Sequence, residues 1–509
     1  MSETTLMLTG TDLTLEAVEQ VAHGSVRQVL LAPEARAGVV RARDFVDRIV
    51  TEGRVVYGVT TGFGALADVV IPRERIRELQ VNLIRSHAAG LGNPLPTDET
   101  RAVVLLRANV LAAGHSGARP EIVDLLLELL NRGVHPVIPE RGSVGASGDL
   151  APLSHLALVL IGEGEAAVNG ERLSGAEALL RTGLSPVVLE AKEGLALNNG
   201  TQVMTGIGAL ALLRAERAIE TAEVAGAMSL EALRGTPDAF DPAIQRLRPH
   251  PGQAESAARL VSLLRASEVR ESHRHGDPRV QDAYSLRCMP QVHGAARAGL
   301  GYARTVLSTE INSVTDNPLL FPEEQRVLSG GNFHGQPIAQ VLDLLAIVCA
   351  DVGAMSERRI ARLVDPTLSG LPAFLTRDAG VHSGLMIAQI VAAALVADLR
   401  LRAHSASIDT IPTDANKEDH VSMGVGAALK AREAVQLLES ILAIELITAA
   451  QGLEFLRPLR AGIGVEAAHA AVRERVPALG ADRELAPDFR AVETLVREGR
   501  FAQLWRVAT

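Results

Sequence analysis

The chain has 509 residues, 47% of them hydrophobic and 22% charged, with a formal net charge of −10. That balance is globular and long enough for roughly three domains or one large elongated unit, and without a basic tract or an aromatic-plus-basic stripe it argues against nucleic acid as a partner. Aromatics are only 3% of the chain, so an aliphatic core is expected. Two cysteines, Cys288 and Cys349, cannot make a disulfide framework and fit a reducing, cytoplasmic setting.

Taken in order, the N-terminus MSETTLMLTG carries an acid rather than a basic region and lacks an uninterrupted apolar stretch, so no secretory signal is expected. The first two hundred residues are cut by glycine and proline into short pieces. Within them, Gly142 to His155 reads GSVGASGDLAPLSH, with four small residues from Gly145 to Gly148 followed at once by Asp149. A hydrolase elbow would need glycine where Asp149 stands, and a phosphate loop would need a lysine after Gly148. Neither fits. As a plain turn it would lead into an apolar helix from Leu150 to Ile161.

Beyond Thr205 the chain settles into long runs of helical period. Between Gly335 and Val364 the apolar residues Ile338, Val341, Leu342, Leu345, Val348, Cys349 and Val352 follow the 3.6-residue pattern. A helix there reaches ~40 Å at 1.5 Å per residue. Two more helices are predicted from Gly384 to Ala403 and from Val425 to Phe455, both apolar around much of their circumference. Helices of that kind are buried on several sides. They predict a mostly α protein, a long central helical bundle closed off by copies of the same chain, with a smaller mixed N-terminal region. The expected division is residues 1–205 and 206–509. The most membrane-like run, Leu385 to Ala397, is short of the ~20 residues needed to span a bilayer.

Polar residues collect in islands against this aliphatic background. Two of the three tyrosines lie in such islands: Tyr57 in YGVTTGFGALAD and Tyr284 in VQDAYSLRCMPQVHG. Arg287 follows Tyr284 by three residues, so on a helix the two share a face, as a carboxylate-binding pair or an interhelical salt bridge would need. The others are SHAAGLG from Ser86, EGLALNNGTQ from Glu193, SGGNFHGQP from Ser329 and NKEDHVSMG from Asn416. Singly, each has a structural reading as a turn, cap or solvated helix start. His273 and His275 flank Arg274 without a Cys/His partner motif, and no metal is expected there.

In this order, the seven motifs resemble those of the aromatic amino acid ammonia-lyases, from about Tyr57 to Met423. The resemblance implies that Ala146, Ser147 and Gly148 are the precursor of a prosthetic group, 4-methylideneimidazol-5-one, formed without an external cofactor. The backbone nitrogen of Gly148 would attack the carbonyl carbon of Ala146, and loss of two waters, the second from the Ser147 side chain, would leave an exocyclic methylidene. The same resemblance makes Tyr57 the base for the β-proton and Glu418 a carboxylate near the substrate. It makes Arg287 the carboxylate clamp, assisted by Asn199, with Tyr284, Gln281 and Phe333 lining the prosthetic group.

Ser86 and His87 are similar to the pair found in members whose substrate ring is imidazole. The implied reaction is deamination of L-histidine to trans-urocanate and ammonia by a homotetramer with shared active sites. Alternatives are a phenylalanine or tyrosine lyase, an aromatic 2,3-aminomutase, or a helical scaffold in which the triplet never cyclises. Departures from the histidine pattern are Asn198, where leucine is usual, Lys417, where glutamine is usual, and the region of Met289 and His293.

Overall fold

The structure is a computed structural model that describes residues 5–507. These residues form 20 α-helices and nine short strands, which agrees with the expected mostly α class. The chain divides into two compact units. The first takes residues up to Leu210 together with Arg304–Asp343 and Ser405–Leu429; the second takes Ala211–Ala303, Leu344–His404 and the chain from Lys430 onward.

All nine strands belong to the first unit. Thr5–Leu8 pairs in parallel with Gln28–Leu31, and Val134–Pro136, Glu165–Val168 and Glu171–Ser174 make an antiparallel sheet of three. Two small antiparallel pairs, Leu91–Pro94 with Pro139–Arg141 and Leu319–Phe321 with Arg326–Leu328, complete the set. The helix Thr97–Ala112 runs through this unit, buried from Glu99 onward. Polar side chains are buried with it, and three of them donate to a carbonyl: Arg101 Nε to Val21 at 2.8 Å, Asn109 Nδ2 to Ile311 at 2.8 Å and Arg107 Nη1 to Asn199 at 2.7 Å. Buried donors without such acceptors would cost ~1–3 kcal/mol each, so the polar residues of this helix specify which segments pack around it.

The second unit is helical throughout and its core is aliphatic, with Phe240 and Phe501 among its few buried aromatics. A fully buried pair lies inside it: Arg359 donates to Glu445 through Nε at 2.5 Å and Nη2 at 2.8 Å. Ser229 and Ser356 donate to the same carboxylate at 2.7 and 2.5 Å. Such a pair repays its desolvation only when its remaining lone pairs are satisfied, as here.

The long periodic segments fold where their patterns placed them, at Gln336–Val364, Met386–Arg402 and Gly424–Glu454. One expectation needs correction. Among the described residues, the helix long and apolar enough to cross a membrane is Gln336–Val364 rather than the run near Leu385, and it is mostly buried inside the protein. Asp343 breaks its apolar run in the sequence, which is why a search for uninterrupted runs passes over it; the carboxylate accepts the backbone N–H groups of Ala406 and Ser407 at 2.9 and 2.8 Å.

Candidate active site

The Ala146-Ser147-Gly148 turn is held between two helix starts. Asp149 is fully buried and precedes the helix Leu150–Leu160. Its carboxylate accepts the N–H groups of Val203 and Met204, both at 2.9 Å, in the first turn of Gln202–Ala232, and the Ser143 hydroxyl at 3.1 Å. Its own N–H donates to the Gly200 carbonyl at 2.7 Å. Burial raises the Asp149 carboxyl to about 7, against the pull of the Met204 and Val203 amides and the Ser143 hydroxyl.

Between these anchors the chain turns back on itself, with left-handed φ at Gly145 (77°), Ser147 (50°) and Gly148 (77°). A side chain at Gly148 is excluded outright, because a Cβ there would lie 2.2 Å from the Gly200 carbonyl oxygen. The sharp fold and unhindered nitrogen that ring closure requires are therefore built into the backbone.

In front of the turn lies a cavity of about 490 Å³ within the first unit. It gathers Tyr57, His87, Ser147, Asn199 and Glu418 from four of the islands and from the turn itself, with apolar walls that include Leu83, Leu150 and Leu195. Ser147 Oγ donates to Glu418 Oε1 at 2.9 Å, and Thr413 Oγ1 donates to Oε2 at 2.8 Å. The Tyr57 phenol oxygen accepts the Gly64 N–H at 3.3 Å. Burial raises the Tyr57 pKa above its ordinary value, and the Asp414 and Glu418 carboxylates raise it further, while the Gly64 N–H works the other way.

His87 ends the helix Ile76–His87, which is tied to Glu193–Asn198 by the Gly194 N–H donating to Gln80 Oε1 at 2.9 Å. Its Nδ1 lies 2.9 Å from the Leu83 carbonyl. The Ser86 hydroxyl, 3.0 Å from the same nitrogen, can donate or accept, whereas a carbonyl only accepts; a proton on Nδ1 of the neutral ring satisfies both neighbours and leaves Nε2 its lone pair. Asn199 is buried, and its Oδ1 has no hydrogen-bond partner among the described residues.

The remaining expected residues lie elsewhere. Gln281, Tyr284 and Arg287 belong to the second unit, and Phe333 is half-buried in the first without lining the cavity. Tyr284–Arg287 is a single helical turn in which the guanidinium sits 4.6 Å from the Tyr284 ring centre, so the two do share a face. Arg359, whose other nitrogens hold Glu445, donates Nη1 to the Ser285 carbonyl at 3.3 Å and supports this turn from below. Tyr284 is 70% exposed.

The departures also find places. Asn198 points away from the cavity, donating Nδ2 to Ser154 Oγ at 3.1 Å in a fully buried contact. Met289 and His293 are core residues of the second unit, and burial beside Arg359 and Arg297 holds His293 well below its ordinary pKa. Asp414 was not singled out from the sequence, yet it lines the cavity. Its spacing of four residues from Glu418 was the available signal.

A family model described as aromatic amino acid lyase matches residues 13–474. Over 509 residues the chain is 56% identical to the histidine ammonia-lyase of Stigmatella aurantiaca, covering 100% of this chain and 99% of that protein. The crystal structure of histidine ammonia-lyase from Trypanosoma cruzi superposes with a TM-score of 0.93 at 44% identity, covering 99% of this chain and 96% of that one. A tyrosine aminomutase from Streptomyces globisporus also superposes with a TM-score of 0.93, at 39% identity and with 99% of each chain covered. The turn, the cavity and these likenesses over nearly the whole length converge on one statement: the chain belongs to the aromatic amino acid lyase family.

Proposed function

We propose that the protein converts L-histidine to trans-urocanate and ammonia, using a 4-methylideneimidazol-5-one group formed from Ala146, Ser147 and Gly148. The observation that carries this reading is the cavity in which the Ser147 turn, Tyr57, Glu418 and His87 meet. Identity of 56% to a histidine ammonia-lyase along the entire chain supports the same substrate.

The residues fit the group. Gly148 has no room for a Cβ, Ser147 is the source of the methylidene carbon, and the unpartnered Asn199 Oδ1 at the cavity wall offers an acceptor to it or to the substrate. Once formed, the group supplies an electrophilic carbon that no standard side chain offers. The rest is done by the chain. Glu418, already within hydrogen-bond reach of Ser147, receives the α-ammonium, takes up one of its protons to free the amine lone pair, and returns that proton so that the nitrogen departs as NH3. Tyr57 Oη removes the β-proton. The substrate's positive charge offsets the carboxylates that raise the phenol's pKa, and the Gly64 N–H stabilises the phenolate.

His87 reads the substrate ring through the Nε2 lone pair, which accepts the imidazole N–H. A site built for that bond rejects an apolar ring, because the acceptor of the half-buried His87 is then covered and left unpaired. His87→Leu should therefore cost histidine turnover ~1–3 kcal/mol in kcat/KM while sparing or improving phenylalanine turnover. Parallel kinetics on the two amino acids check this, and an unchanged histidine rate would place the imidazole elsewhere.

Assembly as a homotetramer is part of this reading. Along Met386–Arg402 the residues Ala388, Ala392, Val396 and Leu399 face inward, whereas Met386, Ile387, Ile390 and Leu401 are exposed. A helix apolar on its outer face is covered by a second copy of the chain at lower cost than by water. Tyr284, Gln281 and Arg287 then complete the cavity of a neighbouring subunit, with Arg287 holding the substrate carboxylate in a bidentate pair. The likeness to a tyrosine aminomutase favours one second reading, in which ammonia returns to the β-carbon, and product analysis separates the two.

A further inference from the structure

We infer that Asp414 is a positioning residue for Tyr57, pinning the Gly64–Leu66 turn so that the Gly64 N–H stays on the phenol oxygen. The inference rests on the reading of Tyr57 as the base.

Two successive amides at the start of this turn are divided between two acceptors. Gly64 N donates to Tyr57 Oη at 3.3 Å, and Ala65 N donates to Asp414 Oδ2 at 2.9 Å. A single tie from a distant loop thus sets the direction in which both N–H groups point. The carboxylate reaches Ala65 by passing directly over Gly64, where a Cβ would lie 2.1 Å from Asp414 Oδ2. Gly64 is required for this approach, and its φ of +54° is one that glycine adopts without strain.

The loop that delivers Asp414 is itself strained. Asp414, Ala415 and Asn416 have φ of 48°, 51° and 65°, a left-handed run of three residues that all carry a Cβ. Such a run persists only where its surroundings hold it. Here Thr413 and Glu418 close it with paired backbone hydrogen bonds of 2.9 and 3.3 Å and with the Thr413 hydroxyl on Glu418 Oε2. One short hairpin therefore presents two carboxylates in register: Glu418 toward Ser147, and Asp414 toward the turn that serves Tyr57.

Asp414 acts on the phenol in two opposed ways. Through the turn it keeps a donor on the oxygen, which favours the phenolate; through its charge, together with Glu418, it disfavours the phenolate. The other titratable group lining the cavity is His87, and no lysine or arginine is among the described lining residues. Substitutions separate the two actions. Asparagine keeps an oxygen for the Ala65 N–H and tolerates the left-handed backbone, but removes the charge. Alanine removes the tie.

The test uses the full-length enzyme, with kcat and KM for L-histidine measured across pH and amide hydrogen exchange followed in the segment 58–70. Asp414→Ala should lower kcat at least ~10-fold with a smaller change in KM, the scale expected when a catalytic group loses its alignment. Exchange in the segment should quicken. Asp414→Asn should keep the plateau kcat and wild-type exchange, with the acidic limb of the pH profile moved to lower pH. Wild-type kcat in the alanine variant, a loss without faster exchange, or an asparagine variant as impaired as alanine would each overturn the inference. Tyr57→Phe is run alongside. Full activity there overturns the base assignment, and the exchange rates then decide the pin by themselves.

Discussion

In a Ser147→Ala variant, turnover falls below detection, a loss of at least ~10³-fold, because no remaining side chain can replace the electrophile. The mass changes with it. Wild-type chains should be lighter than their encoded sequence by two waters, and the variant should not show that deficit, since the second water carries away the Ser147 oxygen. The backbone prepares this chemistry before any ring exists: left-handed φ at Ser147 and Gly148, the close approach of Gly200, and Asp149 holding the turn on the first amides of Gln202–Ala232. Alanine fits the same turn, so the variant should fold and melt as wild type does. Intact-mass measurement and circular dichroism on one sample check both points.

Tyr57→Phe should lower kcat by at least ~10²-fold while leaving the absorbance of the prosthetic group in place, the low end for loss of a positioned acid or base. The phenol sits in a cavity where burial and two carboxylates raise its pKa above the ordinary value. In the free enzyme the base form is therefore the minor one at neutral pH, and its fraction grows as pH rises toward that pKa. Wild-type kcat/KM should climb with pH through the alkaline range, and the phenylalanine variant should lose this limb. If the variant instead loses the absorbance, Tyr57 serves ring formation rather than proton removal.

Much of the helical frame was legible in the sequence because its signals are local. The segment from Gly335 to Val364 differs from the observed helix by one residue, since apolar spacing, alanine content and the glycine before its start act within a few turns. The same locality explains what was missed. Nothing near residue 414 announces that its carboxylate crosses to Gly64 and Ala65, 349 residues away from the latter in the chain. The direction of Asn198 depended on Ser154 in another helix, and the tautomer of His87 on the Leu83 carbonyl one turn back. Glycine-rich runs read as turns whether or not they react. Gly148 became informative only when Gly200 was found pressed against it.

The central claim is tested most directly by incubating the purified full-length enzyme separately with L-histidine, L-phenylalanine and L-tyrosine and measuring ammonia and organic product together. The expected result is ammonia and trans-urocanate in equal amounts from histidine, with the other two slower by ~10²-fold or more. An enzyme inert toward histidine but active on another aromatic amino acid, or one that yields a β-amino acid without net ammonia, would contradict it.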